Sequence, residues 1–457
     1  MAVARAHWGS RFGFVLAAAG SAVGLGNLWK FPYITWENNG GAFVIVYLVA
    51  ILVLGLPIMM AEILVGRRAQ LSAVPAFEKL GGKGWSVVGW LGVASGTTIL
   101  SYYMVIAGWS VRSFYQCLVW SFTSYTPPAE SDFGAFLANA PLQIGLTAIF
   151  SVATAFIVYR GIGGGIEKAT KIMMPVLIII LLYLVGTALT LDGRDEALSM
   201  LFTPHFDQLP AKGYLEAVGH AFFTLSLGLG AMIAYGSYIG KKESIFGAAA
   251  WVVVLDTLFA LFAAIAMFTI ILSVPDMQDR MSGSTMGMLF ITLPDMFYTN
   301  MPGGRILAPA FFILVGFAAL SSTISLGEVI TSLMIDRKGW SRPKATIICA
   351  GGVFVGSILA ALSLGAVEPL SSFELIEGKP GVLATLDHMA ANWMLPLGGL
   401  GITIFVGWFL GRKNAMEELG ITKPSLPFTI WIWCLRIVAP AAIIALLVAV
   451  AVGKDFS

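Results

Sequence analysis

The sequence predicts an all-α membrane protein with eleven transmembrane helices, and three observations support this fold class. The chain of 457 residues is 58% hydrophobic and 11% charged, and its mean hydropathy is +0.86. Apolar stretches long enough to cross a bilayer core, about 20 residues each, recur along the whole chain. Glycines interrupt two of these stretches near their middle. This composition excludes a soluble domain, because so few polar residues cannot cover a water-exposed surface.

The eleven predicted spans are the apolar runs that lie between polar or turn-forming residues. A further apolar stretch, 283–299, contains Pro294, and we interpret it as a re-entrant or surface-lying helix rather than a span. The spans are expected near residues 11–35, 41–67, 86–121, 142–160, 166–190, 214–239, 246–273, 305–335, 345–364, 381–411 and 428–452.

Positive charge predicts the orientation of these spans, since Lys and Arg accumulate on the cytoplasmic side of a membrane. With the N-terminus inside, eighteen of the 27 Lys and Arg residues fall in cytoplasmic segments and six in outer segments. An odd number of spans then places the C-terminus outside. The net charge of +2 gives no nucleic-acid footprint. The three cysteines and four histidines are too scattered for a metal cluster or a disulfide framework.

Two interrupted spans suggest an internal repeat. Glycines break span 1 within residues 19–27 and span 6 within residues 222–230. Close helix packing could explain them, but paired interruptions in corresponding helices of two five-helix halves favour a binding site for a transported solute. We therefore expect a 5+5 inverted repeat with broken helices 1 and 6. The N-terminal segment and first repeat would occupy 1–190, the second repeat 191–411, and helix 11 with a short outer C-terminus 412–457.

The stretch Gly20–Tyr33 resembles the first-helix motif of the neurotransmitter:sodium symporters, and the similarity continues through Ala221–Tyr238 and Phe317–Asp336. Eleven spans instead of the usual twelve resembles bacterial members that carry tyrosine, tryptophan and other hydrophobic amino acids. The resemblance implies a sodium symporter for hydrophobic and aromatic L-amino acids in a bacterial inner membrane, working by alternating access and needing no obligate protein partner. It does not imply an enzyme. A cation channel and a non-transporting amino-acid sensor are the alternatives.

The resemblance also implies two sodium sites, whose ligands are mostly neutral oxygens. The first would join oxygens at the break in span 1 to spans 6 and 7, and the substrate carboxylate would complete it. The second would join carbonyls of spans 1 and 8 to two serine hydroxyls, which without the span 1 motif would indicate ordinary helix packing. The matching positions are Ala22, Asn27, Thr224 and Asp256 for the first site, and Gly20, Val23, Ala318, Ser321 and Ser322 for the second.

Asp256 departs from the family pattern, which usually has asparagine at this point in span 7. A carboxylate within an apolar run is costly and needs a partner. We interpret it as a sodium ligand whose charge replaces the chloride ion of chloride-dependent relatives, which usually have a serine where this chain has Ala260. The sequence therefore predicts chloride independence. Packing of Asp256 against a polar neighbour is the alternative.

A substrate pocket is expected around the two helix breaks. Gly24 stands where monoamine-carrying members have aspartate, so the resemblance implies room for the carboxylate of an α-amino acid. Backbone amides near Leu25 and Gly26 and the Tyr103 hydroxyl would bind that carboxylate, although Tyr103 could also be an ordinary core aromatic. Carbonyls in the broken span 6 would take the ammonium group.

The side-chain part of the pocket carries no charge, which favours an apolar substrate side chain. Leu229 replaces the phenylalanine of a bacterial leucine transporter, and Met232 is pliable, so an aromatic side chain should fit. The predicted substrate-binding residues are Ala22, Gly24, Leu25, Gly26, Ile99, Tyr103, Phe223, Thr224, Ser226, Leu229, Met232, Ser322 and Leu326.

Two gates are expected on the same resemblance. On the inner side Arg5 and Asp336 match a salt bridge, with Trp8 and Tyr238 beside it, although charges at these positions also fit the orientation rule alone. On the outer side an aromatic lid is expected from Phe223.

Lys30 replaces the usual arginine of the outer gate and loses its bidentate fork. The usual acidic partner aligns with Ala390, and Asp387 lies about one helical turn earlier. In span 5, Gly165 and Pro175 predict a segment that unwinds to admit water to the second sodium site, while helix capping is the alternative for the glycine.

Overall fold

A computed structural model describes residues 6–127, 130–274 and 287–455, and these residues form helices and connecting loops without a β-strand. The all-α fold class is thus confirmed for the described chain. The spans lie at Arg11–Ala22 with Gly26–Glu37, Gly41–Ala69, Lys83–Phe122, Ala140–Tyr159, Ile162–Ala188, Ala211–Thr224 with Ala231–Gly236, Ile245–Leu272, Gly304–Lys338, Arg342–Leu362, Val382–Leu419 and Leu426–Ala451.

The count of eleven spans stays a prediction. Within the described residues nine helices are long and apolar enough to cross a membrane, and the two halves of span 1 add a tenth. Span 6 consists of two helices, Ala211–Thr224 and Ala231–Gly236, each too short to cross alone.

The two longest uninterrupted α-helices of the described residues are Ser86–Phe122 in span 3 and Gly304–Lys338 in span 8. Spans 3 and 8 pack along each other, and small residues allow a close approach, since a Cβ atom at Gly316 would lie 3.3 Å from the Ser110 hydroxyl. Spans 4 and 9 lie outside them and direct apolar side chains outwards. In span 4 these are Ile149, Val152 and Phe156, each more than half exposed, as expected of a surface that faces lipid.

Span 1 bends by 53° between its two helices. Ser10 begins the first helix, since its hydroxyl accepts a hydrogen bond from the Gly13 amide. The helix ends at Ala22 because Val23 is extended, with φ −67° and ψ 103°. The break therefore falls within the predicted segment 19–27.

Span 6 is interrupted over residues 225–230. Gly228 and Gly230 have φ angles of 78° and 74°, and Ser226 has 53°. Glycine adopts this left-handed region without a Cβ penalty, whereas serine there is strained. The Ser226 hydroxyl donates to the Ser21 carbonyl oxygen at 2.8 Å, which helps to hold this conformation.

The predicted loop helix at 283–299 is described only from residue 287 onwards; residues 283–286 lie outside the described residues. Leu293–Thr299 is a short helix. Its Phe297 packs on Phe311 of span 8 with ring centroids 5.2 Å apart. Burial and a hydrogen bond to Asp295 raise the pKa of Tyr125 in the neighbouring loop. The helix Leu293–Thr299 packs against the N-terminal end of span 8.

Candidate functional site

The two helix breaks meet and enclose a small cavity of about 40 Å³. All predicted substrate-binding residues line it except Leu25, which lines the vestibule above, and Met232, which is fully buried behind it. Pockets for small molecules are commonly about 300–1,000 Å³, so the walls must move apart to admit a ligand. The lining residues are Ser21, Ala22, Gly24, Gly26, Ile99, Tyr103, Phe223, Thr224, Ser226, Leu229, Ser322, Leu326 and Leu395.

Gly24 forms the polar end of this cavity. A Cβ atom there would lie 2.8 Å from the Ser322 hydroxyl and 3.2 Å from the Tyr103 hydroxyl. The Leu25 amide donates to the Tyr103 oxygen at 3.1 Å. The amide expected to meet a carboxylate thus already has a partner, and Tyr103 keeps its own O–H proton to donate. This end is shaped for a small group that accepts a hydrogen bond from Tyr103.

Asp256 lies beside the cavity in a cluster with Asn27 and Thr224. The Asn27 side-chain nitrogen donates to the Asp256 carboxylate at 2.7 Å and to the Thr224 hydroxyl at 3.0 Å. The Thr224 hydroxyl lies 3.1 Å from both carboxylate oxygens. The Asn27 oxygen in turn accepts from the Gly24 amide at 2.9 Å. Side chains from spans 1, 6 and 7 therefore bring four oxygens of one buried cluster together beside the break.

The positions predicted for the second sodium site also come together. A Cβ atom on Gly20 would lie 3.2 Å from the Cβ of Ser321 and 3.3 Å from the sulfur of Met174. The Ser321 and Ser322 hydroxyls donate to the Ala318 carbonyl oxygen at 3.0 and 3.3 Å. Val23 ends the first helix of span 1 beside them. Met174 brings span 5 to this site, next to Pro175.

On the side predicted to face the cytoplasm, Trp8 packs against the second half of span 6. Its indole nitrogen donates to the Tyr235 carbonyl oxygen at 3.0 Å, and its backbone amide donates to the Tyr238 carbonyl oxygen at 3.3 Å. Asp336 accepts a hydrogen bond of 2.7 Å from the Ser72 amide. Arg5, its predicted partner, lies outside the described residues. Trp8 and Tyr238 are thus in contact, and their role in an inner gate stays a prediction.

Span 5 is helical over the segment predicted to unwind. Ile162–Glu167 forms a π-helical turn, and Pro175 lies inside the following helix, Lys168–Ala188. A Cβ atom on Gly165 would lie 2.1 Å from the Ile157 carbonyl oxygen. Glycine is required here by close contact with the end of span 4, in addition to any role in unwinding.

A vestibule of about 290 Å³ adjoins the cavity on the side predicted to face outwards, and it is called the outer vestibule below. Gly26, Tyr103 and Phe223 line both spaces, so they form the boundary between them. The Lys30 ammonium group lies 4.9 Å from the centre of the Phe223 ring, within the range of a cation–π interaction. Asp387 lines the same vestibule and attracts Lys30 electrostatically.

The buried carboxylates outside the predicted site include Glu62 and Glu167. Glu62 in span 2 accepts a hydrogen bond of 2.7 Å from the Gly228 amide in the break of span 6. Glu167 in span 5 accepts from the Gly9 amide at 2.7 Å and the Ser10 hydroxyl at 3.2 Å. Both lie in predicted spans, where an ionisable side chain is itself a signal of function. That signal, applied to Asp256, would also have identified these two.

The sequence and the arrangement of helices are similar to those of known proteins. The sequence model of the sodium:neurotransmitter symporter family matches residues 5–132 and 136–455. The chain belongs to this family. Its members are secondary transporters, so the expectation of a transporter rather than an enzyme is confirmed.

Relatives of this sodium:neurotransmitter symporter cover nearly all of the chain. It is 33% identical to an uncharacterized sodium-dependent transporter, YhdH, of Bacillus subtilis (strain 168), over 96% of each chain. It is 23% identical to the sodium-dependent nutrient amino acid transporter 1 of Drosophila grimshawi, over 97% of this chain and 76% of the relative.

A solved structure agrees with the fold of the symporter. The crystal structure of MhsT in complex with L-phenylalanine is 42% identical, with a TM-score of 0.88, and the match covers 97% of this chain and 99% of MhsT. This similarity confirms the inverted-repeat fold with broken helices 1 and 6. The boundaries of the two repeats stay a prediction.

Proposed function

We propose that this protein imports hydrophobic and aromatic L-amino acids together with sodium, independently of chloride, by alternating access. One observation carries the proposal. The apolar cavity at the two helix breaks opens at Gly24 directly beside the Asp256 cluster, so a substrate carboxylate and a sodium ion would be neighbours. The binding of L-phenylalanine by MhsT supports the substrate class.

The substrate carboxylate would enter at Gly24. Tyr103 would donate to it while keeping the hydrogen bond from the Leu25 amide, and the Gly26 amide would add a second donor. The ammonium group would meet carbonyl oxygens at Phe223 and Ser226, where the interrupted helix leaves carbonyls without regular helical partners. This polarity orients an α-amino acid with its side chain towards span 3.

The remaining walls favour an apolar side chain. Ile99, Leu229 and Leu326 line the cavity and carry no charge, so an ionised side chain would lose its hydration without compensation. Leu229 leaves more room than a phenylalanine would. Tryptophan, tyrosine, phenylalanine and leucine are the proposed substrates.

Two sodium ions would bind, each beside a helix that is expected to move during transport. The first would take oxygens from Ala22, Asn27, Thr224 and Asp256 and from the substrate itself, so that each ligand raises the affinity for the other. The fixed charge of Asp256 would balance this ion without chloride. The second would lie between Gly20, Val23 and the Ser321–Ser322 pair, and its release would follow the opening of spans 1 and 5.

The proposed setting is the inner membrane of a bacterium, with the N-terminus in the cytoplasm and no obligate protein partner. The excess of Lys and Arg in the predicted cytoplasmic segments supports this orientation. In that orientation Trp8 lies at the inner gate and Lys30 at the outer one.

Competition of labelled L-phenylalanine uptake into proteoliposomes by each of the twenty amino acids tests the substrate class. We expect competition by aromatic and large aliphatic amino acids and none by charged ones. Failure of every hydrophobic amino acid to compete would overturn the proposal. Saturable sodium flux coupled to uptake is expected, whereas large unitary currents would indicate a cation channel, and binding without uptake a sensor.

A further inference from the structure

The segment that follows span 11 folds back to the outer vestibule. The helix of span 11 ends at Ala451, and the Lys454 amide donates to the Ala449 carbonyl oxygen at 3.0 Å. The next residue, Asp455, lines the vestibule. A carboxylate remote in sequence from the substrate site thus lies at the mouth of that site.

Asp455 contacts span 10 and the loop before it. One carboxylate oxygen accepts from the Asn392 side-chain nitrogen at 2.7 Å and lies 3.3 Å from the His388 ring nitrogen. The other forms an ion pair with Lys379. His388 and Asn392 are also joined to each other at 3.0 Å. A single side chain therefore joins the segment after span 11 to three positions around the outer part of span 10.

These contacts fall where span 10 departs from regular helix. The α-helix Val382–His388 is followed by a π-helical segment, Met389–Met394. Such segments are uncommon and are frequent at functional sites. Asp387, the acidic residue predicted for the outer gate, lies directly before His388. Contacts that fix the junction between the α-helix and the π-helical segment therefore also fix the position of Asp387.

The charges of the vestibule involve Asp455 as well. The acidic position expected in span 10 is occupied by Ala390, which is fully buried. The carboxylates of Asp387 and Asp455 both attract the Lys30 ammonium group electrostatically. Asp455 thus supplies, from another span, a second negative charge to the cation that lies over Phe223.

We propose that Asp455 is a positioning residue of the outer gate, which holds the outer half of span 10 through His388 and Asn392 and so opposes opening of the vestibule. The inference rests on the proposed function only in that a vestibule must open and close during transport. Loss of the carboxylate shifts the resting equilibrium towards the outward-open state.

The rate at which a membrane-impermeant maleimide labels a cysteine in the vestibule measures this opening. Ile106→Cys is a suitable reporter, because Ile106 lines the vestibule yet is only 4% exposed. The chain without the added cysteine gives the background from Cys117, Cys349 and Cys434. Partly exposed ion pairs contribute up to about 1 kcal/mol, so Asp455→Asn should speed labelling by up to about fivefold. Lys379→Gln should speed it less.

Two variants serve as controls. Asp455→Glu retains the carboxylate and should return labelling to within about twofold of the unmodified rate. Asp207→Asn removes an exposed carboxylate from the loop before span 6, one that does not line the vestibule, and should leave the rate unchanged. Equal rates in Asp455→Asn and Asp207→Asn would overturn the inference. So would equally fast labelling of Asp455→Glu and Asp455→Asn with lowered thermal stability, which would indicate a purely structural role.

Labelling requires no transported substrate. Absence of amino-acid uptake would therefore count against the proposed function, while the labelling experiment would still test the role of Asp455 at the outer gate.

Discussion

Asp256 and Asn27 are joined by a hydrogen bond of 2.7 Å, although 229 residues separate them in the sequence. The amide nitrogen of Asn27 faces the carboxylate, which turns the amide oxygen towards the Gly24 amide. Asp256 therefore has two possible effects on a sodium ion at this point. It provides a negative charge, and it fixes the orientation of another oxygen ligand.

Asp256→Asn should weaken sodium activation of uptake. Hydrogen bonds to charged groups contribute about 1.5–3 kcal/mol, so the sodium concentration for half-maximal uptake should rise about 10- to 100-fold. Adding Ala260→Ser should make the residual uptake increase with chloride. Sodium dependence measured in chloride and in gluconate checks both. Unchanged sodium activation in the single variant would count against a role in ligation.

Gly24→Ala should block the carboxylate end of the cavity. The added methyl group would lie 2.8 Å from the Ser322 hydroxyl, and overpacking of this kind costs about 1–3 kcal/mol. The affinity for L-phenylalanine, measured by equilibrium binding, should fall at least about fivefold. Gly186→Ala in span 5 is the matched control, since nothing lies within 4 Å of a Cβ atom there. Equal affinities of the two variants would contradict the assignment.

Much of this arrangement follows from sequence patterns. Apolar runs locate the spans, and the glycines of spans 1 and 6 locate both breaks, because these features depend on neighbours along the chain. The sequence does not predict that the Leu25 amide already donates a hydrogen bond, because the acceptor, the Tyr103 oxygen, lies in another span. Met232, predicted to line the pocket, is fully buried and does not line the cavity.

Contacts between distant segments explain the other omissions. Glu62 bonds to Gly228, which is 166 residues away, and Asp455 reaches the vestibule only because span 11 ends beside span 10. The close contact at Gly165 likewise depends on how span 4 ends. Motif spacing carries no information on such pairs, whereas an ionisable residue in an apolar run can at least be noticed.

Leu229→Phe should narrow substrate selection. Leu229 is 4% exposed and lines the cavity, so the larger ring reduces the space for an aromatic substrate. Competition by tryptophan should weaken about fivefold or more, in line with overpacking costs of about 1–3 kcal/mol, while competition by leucine stays within about threefold. Leu258→Phe, on the exposed face of span 7, serves as control. Equal losses for tryptophan and leucine would speak against size selection at this position.

Pro175→Ala should slow the inward release of sodium. Replacing proline restores a backbone donor within span 5 and stabilises the helix by about 1 kcal/mol, so turnover should fall up to about fivefold at unchanged outer affinity. Gly165→Ala is a poor test because its methyl group meets the Ile157 carbonyl oxygen. Gly186→Ala, near the other end of span 5, has open space around the added atom and is the better control. Unchanged turnover of Pro175→Ala would argue against unwinding of this segment.

The most direct test of the account is the initial rate of L-phenylalanine uptake into proteoliposomes, with sodium and chloride replaced separately. Uptake should require an inward sodium gradient and should be the same in chloride and in gluconate, because we propose that Asp256 supplies the charge at the first sodium site. Uptake that proceeds without sodium, or that is lost when chloride is replaced, would contradict it.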